Sequence, residues 1–466
     1  MAKFLPHAAG FLGVPQPRSG LKEVLVEVLV LFAVGKDWDE FEYSHARYRE
    51  RYTFYFEGFD LFSFPSNAKL MTFNILAFVD RMVAKYGGRI GAVVSNNEQF
   101  GALAASLIAQ RLGLPGLDPQ ALLLSQHKFY MREQLSKHIP EAMPQYCVFP
   151  YTFKTPAEIP MAFPFFVKPI KAAYSVLARR VDTYAELKQH LTFRPWEKHI
   201  IKRLVKPFND ACRAHTDFTI DAHWLIGESL LQGEQINVDG LVIDGETHVL
   251  GIVDALMYPG TQAFMRWEYP SRLPDLWQER VAVLARKSLA ALNYNHGFFN
   301  IEMTVDRATG EIKIIEINPR MASQFSDLYV KVDGLNLHDI GIDLAFGRKP
   351  NVEKKLTPSR VATSFVFRKF DLDNLPQEPT REQLAALKRL DPDAGLSTFI
   401  KKRSQLHREM KWLGSYRYAV LNMGAETADV LTAKYEKAKR CLGFEADRSC
   451  VFAGPNSGPF ALTPDS

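Results

Sequence analysis

Cysteine is scarce: Cys147, Cys212, Cys441 and Cys450 are all there is in 466 residues, and no two of them form a C-x-x-C pair. A disulfide framework is thereby set aside, and a reducing, cytoplasmic setting fits better. Long apolar runs are missing as well. The longest, residues 24–34, contains Glu27 and falls far short of the ~20 residues needed to cross a bilayer, so no membrane segment is expected. The opening MAKFLPHAAGFLG is a poor signal peptide, because Pro6 and His7 break its apolar stretch. An N-terminal address read by a receptor stays open. A net charge of +5 is too slight an excess to argue for nucleic acid, and neither an internal repeat nor a low-complexity tract is present.

What is present is an ordinary globular composition, 47% hydrophobic and 23% charged, enough for a large core and, at ~150 residues per domain, about three domains. Up to residue 120, apolar strands at 24–34, 52–56 and 90–95 alternate with helical patterns at 74–86 and 100–112, the rhythm of a parallel sheet covered by helices. Ser95-Asn96-Asn97-Glu98 closes a strand and opens a helix, which is where open α/β sheets bind ligands. Taken singly, Asn96 and Asn97 read better as helix caps. A helix from residue 122 through Met131 and Leu135 sets Lys128 and Arg132 on one face, by itself a solvated surface pair. Phe163-Pro164-Phe165-Phe166-Val167-Lys168-Pro169 is a buried-strand pattern ending in a lysine. Phosphate is the common reason for a compact cation in such a place; a lysine that simply emerges at a strand end is the alternative.

After a short helix at 184–191, strands are expected at 199–204 and 218–222 with a polar loop at 206–215 between them. Residues 224–240 read as a strand, a tight turn at Gly233 and a second strand, with Glu228 and Glu234 at the strand ends. Such carboxylates suit ribose hydroxyls, and solvated turn acids are the alternative. A strand at 251–256 leads into an irregular, aromatic-rich loop at 258–274 and an amphipathic helix at 276–292, with one more helix at 337–346. Beyond residue 350, a strand at 361–370, the capping box Thr380-Arg381-Glu382-Gln383, a strand at 416–423 and a helix at 426–441 make a small α+β module. The Pro/Gly/Ser-rich tail after Gly454 is expected to fray.

The most informative stretch is 297–320, GFFNIEMTVDRATGEIKIIEINPR. Apolar and polar residues alternate on both sides of the turn-forming Asp306-Arg307-Ala308-Thr309-Gly310, the pattern of a β-hairpin. A turn centred on Thr309 sets Glu302 opposite Glu316, Asn300 opposite Asn318, Ile301 opposite Ile317 and Met303 opposite Ile315. One face is greasy, and the other carries two facing carboxylates that repel and resist joint ionisation. A hard divalent cation resolves this, since Mg²⁺ typically takes one or two carboxylates plus substrate phosphates. Asn318 adds a neutral oxygen and Arg320 a guanidinium suited to phosphate. An edge hairpin with solvated acids is the alternative. On the metal reading, Glu316→Gln abolishes turnover and leaves the fold stable by relieving the repulsion.

Lys128, FFVKP with Lys168, LIGESLLQGEQINVDG and FFNIEM…IIEINPR, in that order, resemble the ATP-grasp superfamily, most nearly its carboxylate-amine ligases, over about residues 90–350. The resemblance implies an α/β and α+β architecture: a doubly wound pre-ATP-grasp domain at 1–120, two ATP-grasp subdomains at 121–222 and 223–350 that clamp ATP, and a C-terminal α+β module at 351–466. It places Lys128 and Lys168 on the α- and β-phosphates, Lys168 also near the adenine, Glu228 at the adenine hinge and Glu234 on the ribose. Glu302 and Glu316 would hold Mg²⁺, for which Mn²⁺ can stand in, Asn318 would hold a second metal ion, and Arg320 would grip the transferred phosphoryl. The implied chemistry is attack of a carboxylate on the γ-phosphate to give an acyl phosphate and ADP, then attack of an amine. Positioning and charge neutralisation dominate such catalysis. The implied partners are small-molecule carboxylate and amine substrates, with neither nucleic acid nor membrane, and a homodimer is left open.

Two departures from the family pattern stand out. The glycine-rich phosphate loop is replaced by Ile170-Lys171-Ala172-Ala173-Tyr174-Ser175, where Lys171 and Ser175 could substitute with side chains for the missing backbone cradle. After NPR the chain continues as Met321-Ala322-Ser323-Gln324-Phe325 instead of glycines. Arg266 and Glu268, in the aromatic loop, are candidate substrate residues for a carboxylate and an ammonium; a surface loop packed through its aromatics is the alternative. The leading function is amide formation, most simply between amino acids. The alternatives are a bicarbonate-activating, biotin-carboxylase-like enzyme and a non-catalytic ATP-binding regulator or scaffold.

Overall fold

The computed structural model describes residues 25–444 apart from 44, 49, 62–64, 173–176, 404–405, 408–409 and 411–412. The N-terminal stretch, Ser175 and the C-terminal tail considered above lie outside the described residues. Three sheets organise the rest. β1 (Val26–Leu31), β2 (Tyr52–Glu57) and β3 (Ile90–Val94) form a parallel sheet in the order β2-β1-β3. Its central strand is apolar on both faces because both are covered, and Val28, Leu29, Val30 and Leu31 are buried. The helices Ile75–Tyr86 and Gly101–Leu112 supply much of that cover. Asn74 caps the first through its side chain, and Gly113 ends the second in the left-handed conformation.

The second sheet is antiparallel: β4 (Tyr146–Pro150), β5 (Phe165–Pro169), β6 (Arg179–Val181) and β7 (Trp224–Glu228), in the order β4-β7-β5-β6. Two corrections to the sequence reading fall here. The helix expected from residue 122 is two helices, Pro119–Gln126 and Lys128–Ser136. They break at His127, whose extended backbone lets its ring cap the second helix at Tyr130 N. The strands expected at 199–204 and 218–222 and the loop between them are absent; a 21-residue helix, Pro195–His215, takes most of that segment. Its buried residues Ile201, Val205, Phe208 and Cys212 recur at helical spacing, a period cut off when the apolar run is read alone.

The third sheet has eight strands: β8 (Glu234–Ile243), β9 (Glu246–Met257), β10 (Phe264–Tyr269), β11 (Gly297–Asp306), β12 (Glu311–Asn318), β13 (Val361–Lys369), β14 (Gly395–Thr398) and β15 (Tyr416–Ala425). The order β12-β11-β8-β9-β10-β13-β15-β14 shows that the C-terminal segment extends the same sheet through the β10–β13 pairing. The segment expected as an irregular loop at 258–274 therefore contains strand β10. The turn at Gly233 does not close a hairpin either. β7 and β8 belong to different sheets, and the chain crosses between them there. Gly233 has φ +97°, and a Cβ would lie 2.3 Å from the Val305 carbonyl oxygen, so only glycine fits.

Candidate functional site

In the hairpin β11–β12, Asn300 pairs with Asn318, Ile301 with Ile317 and Glu302 with Glu316. The expected pairing of Met303 with Ile315 is replaced by Met303 with Ile314, because the register shifts beside Glu302. Such a bulge leaves one residue out of the ladder. The carbonyl of that residue, Ile315, instead accepts hydrogen bonds from Arg132 Nη2 at 2.6 Å and Lys168 Nζ at 3.3 Å. The irregularity thus ties the hairpin to the second sheet.

Across that seam stand the cations singled out from the sequence. Lys128, in the first turn of its helix, lies 3.2 Å from Glu316. Lys168, at the end of β5, lies 2.8 Å from one oxygen of Glu228, whose other oxygen accepts from Arg132 Nε at 3.0 Å. Glu228 is therefore the buried counter-ion of two cations. Arg132 is no solvated surface residue: it is fully buried.

A fourth carboxylate arrives from the parallel sheet. Glu98, just past the end of β3, accepts from Arg320 Nη2 at 2.7 Å and Nε at 3.2 Å, and lies 3.8 Å from Lys171 Nζ. The Asn318 side-chain amide lies 3.1 Å from both Glu98 carboxylate oxygens, oriented so that its nitrogen donates to them. Glu98 and Arg132 are the residues that the sequence reading underrated. The available signal for Glu98 was its place at the carboxyl end of a parallel strand; its companion Asn97 does serve as a cap, accepting from Phe100 N and Gly101 N.

Lys128, Arg132, Lys168, Lys171 and Arg320 thus meet Glu98, Glu228, Glu302 and Glu316, and charge decides how these groups titrate. Burial raises the pKa of Glu302, and the facing Glu316 raises it further. Burial also acts on Glu316, but Lys128, Lys168 and Arg320 outweigh it and hold its carboxyl well below the usual range. Glu228 is likewise held low against its burial by Arg132 and Lys168. Burial depresses Lys168, aided by Arg132 and Lys128, and pushes Lys171 down to about 8. Lys128 goes the other way, because Glu316 and Glu98 outweigh its burial. Buried ammonium groups that are short of negative charge make an anion-binding wall.

Other candidates are not brought in. Glu234 is exposed and pairs with Arg307 at 2.8 Å. It lies opposite Val305, on the reverse face of the ladder from Glu302, whereas its neighbour Gln235 donates to Glu302 at 3.0 Å. Arg266 and Glu268 bond each other at 2.5 Å. Glu268 pairs with Asp254, Asp254 with Ile236 and Ile236 with Met303, so both sit on the face away from Glu302. The alternation that turns them away points Trp267 and Tyr269 toward Phe325 and Tyr329.

No group of three or more His, Cys, Asp or Glu side chains gathers to hold a metal among the described residues. The set here is two directly opposed, half-buried carboxylates beside the Asn318 amide. Carboxylate and amide oxygens are the donor chemistry that fits a hard cation shared with phosphate.

Residues 161–327 match the ATP-grasp domain family. The fold is similar to that of the L-amino acid ligase from Bacillus licheniformis, with a TM-score of 0.63, 16% identity and coverage of 89% of this chain and 97% of that one. It is also similar to biotin carboxylase from Campylobacter jejuni, at a TM-score of 0.56 with 14% identity over 90% and 91%. A curated relative, the carbamoyl phosphate synthase large chain of Pseudothermotoga lettingae, is 35% identical over 91 residues, 19% of this chain. That match spans 8% of the relative's length. The chain thus carries an ATP-grasp domain at residues 161–327, set between an N-terminal parallel sheet and a C-terminal segment that extends the large sheet.

Proposed function

We propose that the protein is an ADP-forming carboxylate–amine ligase that joins two small molecules, most simply two amino acids, through an acyl phosphate. The observation that carries this reading is the direct opposition of Glu302 and Glu316 beneath the buried Lys128 and Lys168, with Arg320 just past the end of the same hairpin. Lys128 and Lys168 would bind the nucleotide phosphates. A divalent cation held by Glu302, Glu316 and Asn318 would neutralise charge between those phosphates. Arg320 would steady the phosphoryl group as the substrate carboxylate oxygen bonds to the γ-phosphorus and the bond to ADP breaks. The amine nitrogen then bonds to the acyl carbon, the carbon–oxygen bond to phosphate breaks, and a proton leaves to water. Catalysis of this kind needs positioning and charge more than a general base.

Substrate residues are to be sought around Glu98 and the segment 321–325, in which Ser323 and Gln324 reach the surface between buried Ala322 and Phe325, instead of at Arg266 and Glu268. The test is incubation with Mg-ATP and pools of amino acids, with ADP and phosphate measured against AMP and pyrophosphate and new amides detected by mass. ADP release that requires an amino-acid pool and yields an amide supports the reading. Release that depends on bicarbonate replaces it with a carboxylase-type activity, and AMP with pyrophosphate, or no turnover in any pool, rejects it.

A further inference from the structure

A cavity of about 120 Å³ adjoins the seam where the end of the parallel sheet meets the helices Gly101–Leu112 and Leu337–Ala345, and Arg320 stands in its wall. Ala102, Ala105, Phe298 and Leu344 give it apolar sides. Most of its polar side chains are spent on the protein itself: the Ser95, Ser106 and Tyr294 hydroxyls donate to the carbonyls of Leu31, Leu117 and Phe298, and the His296 ring bonds the Leu344 carbonyl. His338, in the same wall, differs. Its Nε2 lies 3.3 Å from Asp37 Oδ1, and the Asp37 carboxylate also accepts from Asn96 Nδ2 at 2.7 Å and Val34 N at 2.9 Å. Asn96, read from the sequence as a helix cap, serves this buried carboxylate instead. A carboxylate only accepts hydrogen bonds, so Nε2 carries a proton, and in the uncharged ring Nδ1 is left with a lone pair. Nδ1 is buried and has no hydrogen-bond partner among the described residues. A buried acceptor without a donor is costly, and a ligand that brings an N–H to the cavity removes that cost.

We propose that this cavity takes the amine substrate, with its nitrogen donating to His338 Nδ1 and a branched aliphatic body against the apolar sides. The carboxylate behind the ring favours a group of positive charge, which an amine carries in water. Since a cavity of about 150 Å³ holds benzene, one of about 120 Å³ suits an isobutyl group better than a benzyl group. Arg320 shares the cavity, so a nitrogen held there stands beside the acyl group whose phosphate Arg320 grips. The inference rests on the ligase reading above and adds the class of its amine: an α-amino acid, or its amide, with a small branched side chain.

The test is calorimetric titration of the full-length protein, in the presence of Mg²⁺ and ADP, with L-leucinamide, which offers an amine and an isobutyl group but no carboxylate to activate. Leucinamide should bind. Glycinamide, which leaves the apolar sides uncovered, and N-acetyl-leucinamide, which lacks the cationic donor, should each bind about tenfold more weakly. His338→Phe keeps the shape of the ring and leaves Asp37 with Asn96 and Val34 as donors; it should weaken leucinamide about tenfold to a hundredfold. Ala105→Leu fills the cavity from the opposite side and should weaken leucinamide about as much while sparing glycinamide. Affinity for ADP, which neither variant should alter, reports the fold, and Ala105→Leu decides alone if His338→Phe fails that control. Wild-type leucinamide affinity in the folded variants, or no leucinamide binding by the wild type, overturns the pocket. Amide formation from leucinamide, Mg-ATP and an amino-acid pool with affinity untouched by either variant rejects the pocket and leaves the ligase reading. Binding that follows the variants without any amide rejects the ligase reading and leaves the amine pocket.

Discussion

Glu98 and Arg320 are 222 residues apart in the chain, and their side chains meet at 2.7 Å, joining the end of the parallel sheet to the end of the β11–β12 hairpin. On the proposed reading Arg320 grips the phosphoryl, and Glu98 and a bound phosphate would then compete for it. Glu98→Gln keeps the shape of the side chain but removes the competing charge. Inorganic phosphate should then bind about tenfold more tightly, the equivalent of ~1.4 kcal/mol. The check is the rise in melting temperature with added phosphate in variant and wild type. Equal shifts would show that Arg320 does not contact the anion.

Glu302 and Glu316 look interchangeable in the hairpin, but their surroundings separate them. Glu316 neutralises Lys128 at 3.2 Å; Glu302 takes a hydrogen bond from the neutral Gln235 and is held above the usual range by burial and by Glu316. The sequence argument that Glu316→Gln leaves the fold stable is therefore replaced. In metal-free buffer Glu302→Gln should melt at or above wild type, because a neutral amide faces Glu316 without the cost of holding a carboxyl protonated against burial and a neighbouring charge. Glu316→Gln should melt lower, since it strips a buried lysine of its partner at a cost of about 1–3 kcal/mol. Both should lose turnover. Identical melting behaviour in the two variants would rule out this division of labour.

The hairpin register was legible because its side-chain period and turn residues are local, and Glu302 faces Glu316 as the pattern requires. The bulge that moves Met303 opposite Ile314 was not, because its reason lies in Arg132 and Lys168 from another sheet, which claim the Ile315 carbonyl. Lys168 announced itself as a charge at the end of an apolar strand. Arg132 did not: a helix face shows its spacing but not what packs on it. The same limit misled the reading of Arg266 and Glu268, whose residue types suit a substrate but whose strand pleat turns them to the reverse face. The segment 195–215 was misread for a different reason, that a short apolar run such as Ile200-Ile201 fits both periods until a longer window is taken.

On the proposed metal reading, Glu302 also sets how cation binding responds to pH. Its carboxyl is held protonated above the ordinary carboxylate range, and a divalent cation binds only the ionised form. A proton must therefore leave when the metal arrives, and the cation's apparent affinity should rise with pH up to the point where Glu302 is already ionised, then level off. At a pH below that point, calorimetric titration with Mg²⁺ in the presence of ADP, run in buffers of different ionisation enthalpy, should report net proton release. In Glu302→Gln that release should vanish along with most of the affinity. A proton count of zero in the wild type, or one that persists in the variant, would move the titrating group elsewhere in the cluster. Lys171, whose pKa burial pushes down to about 8, would then be the first group to replace.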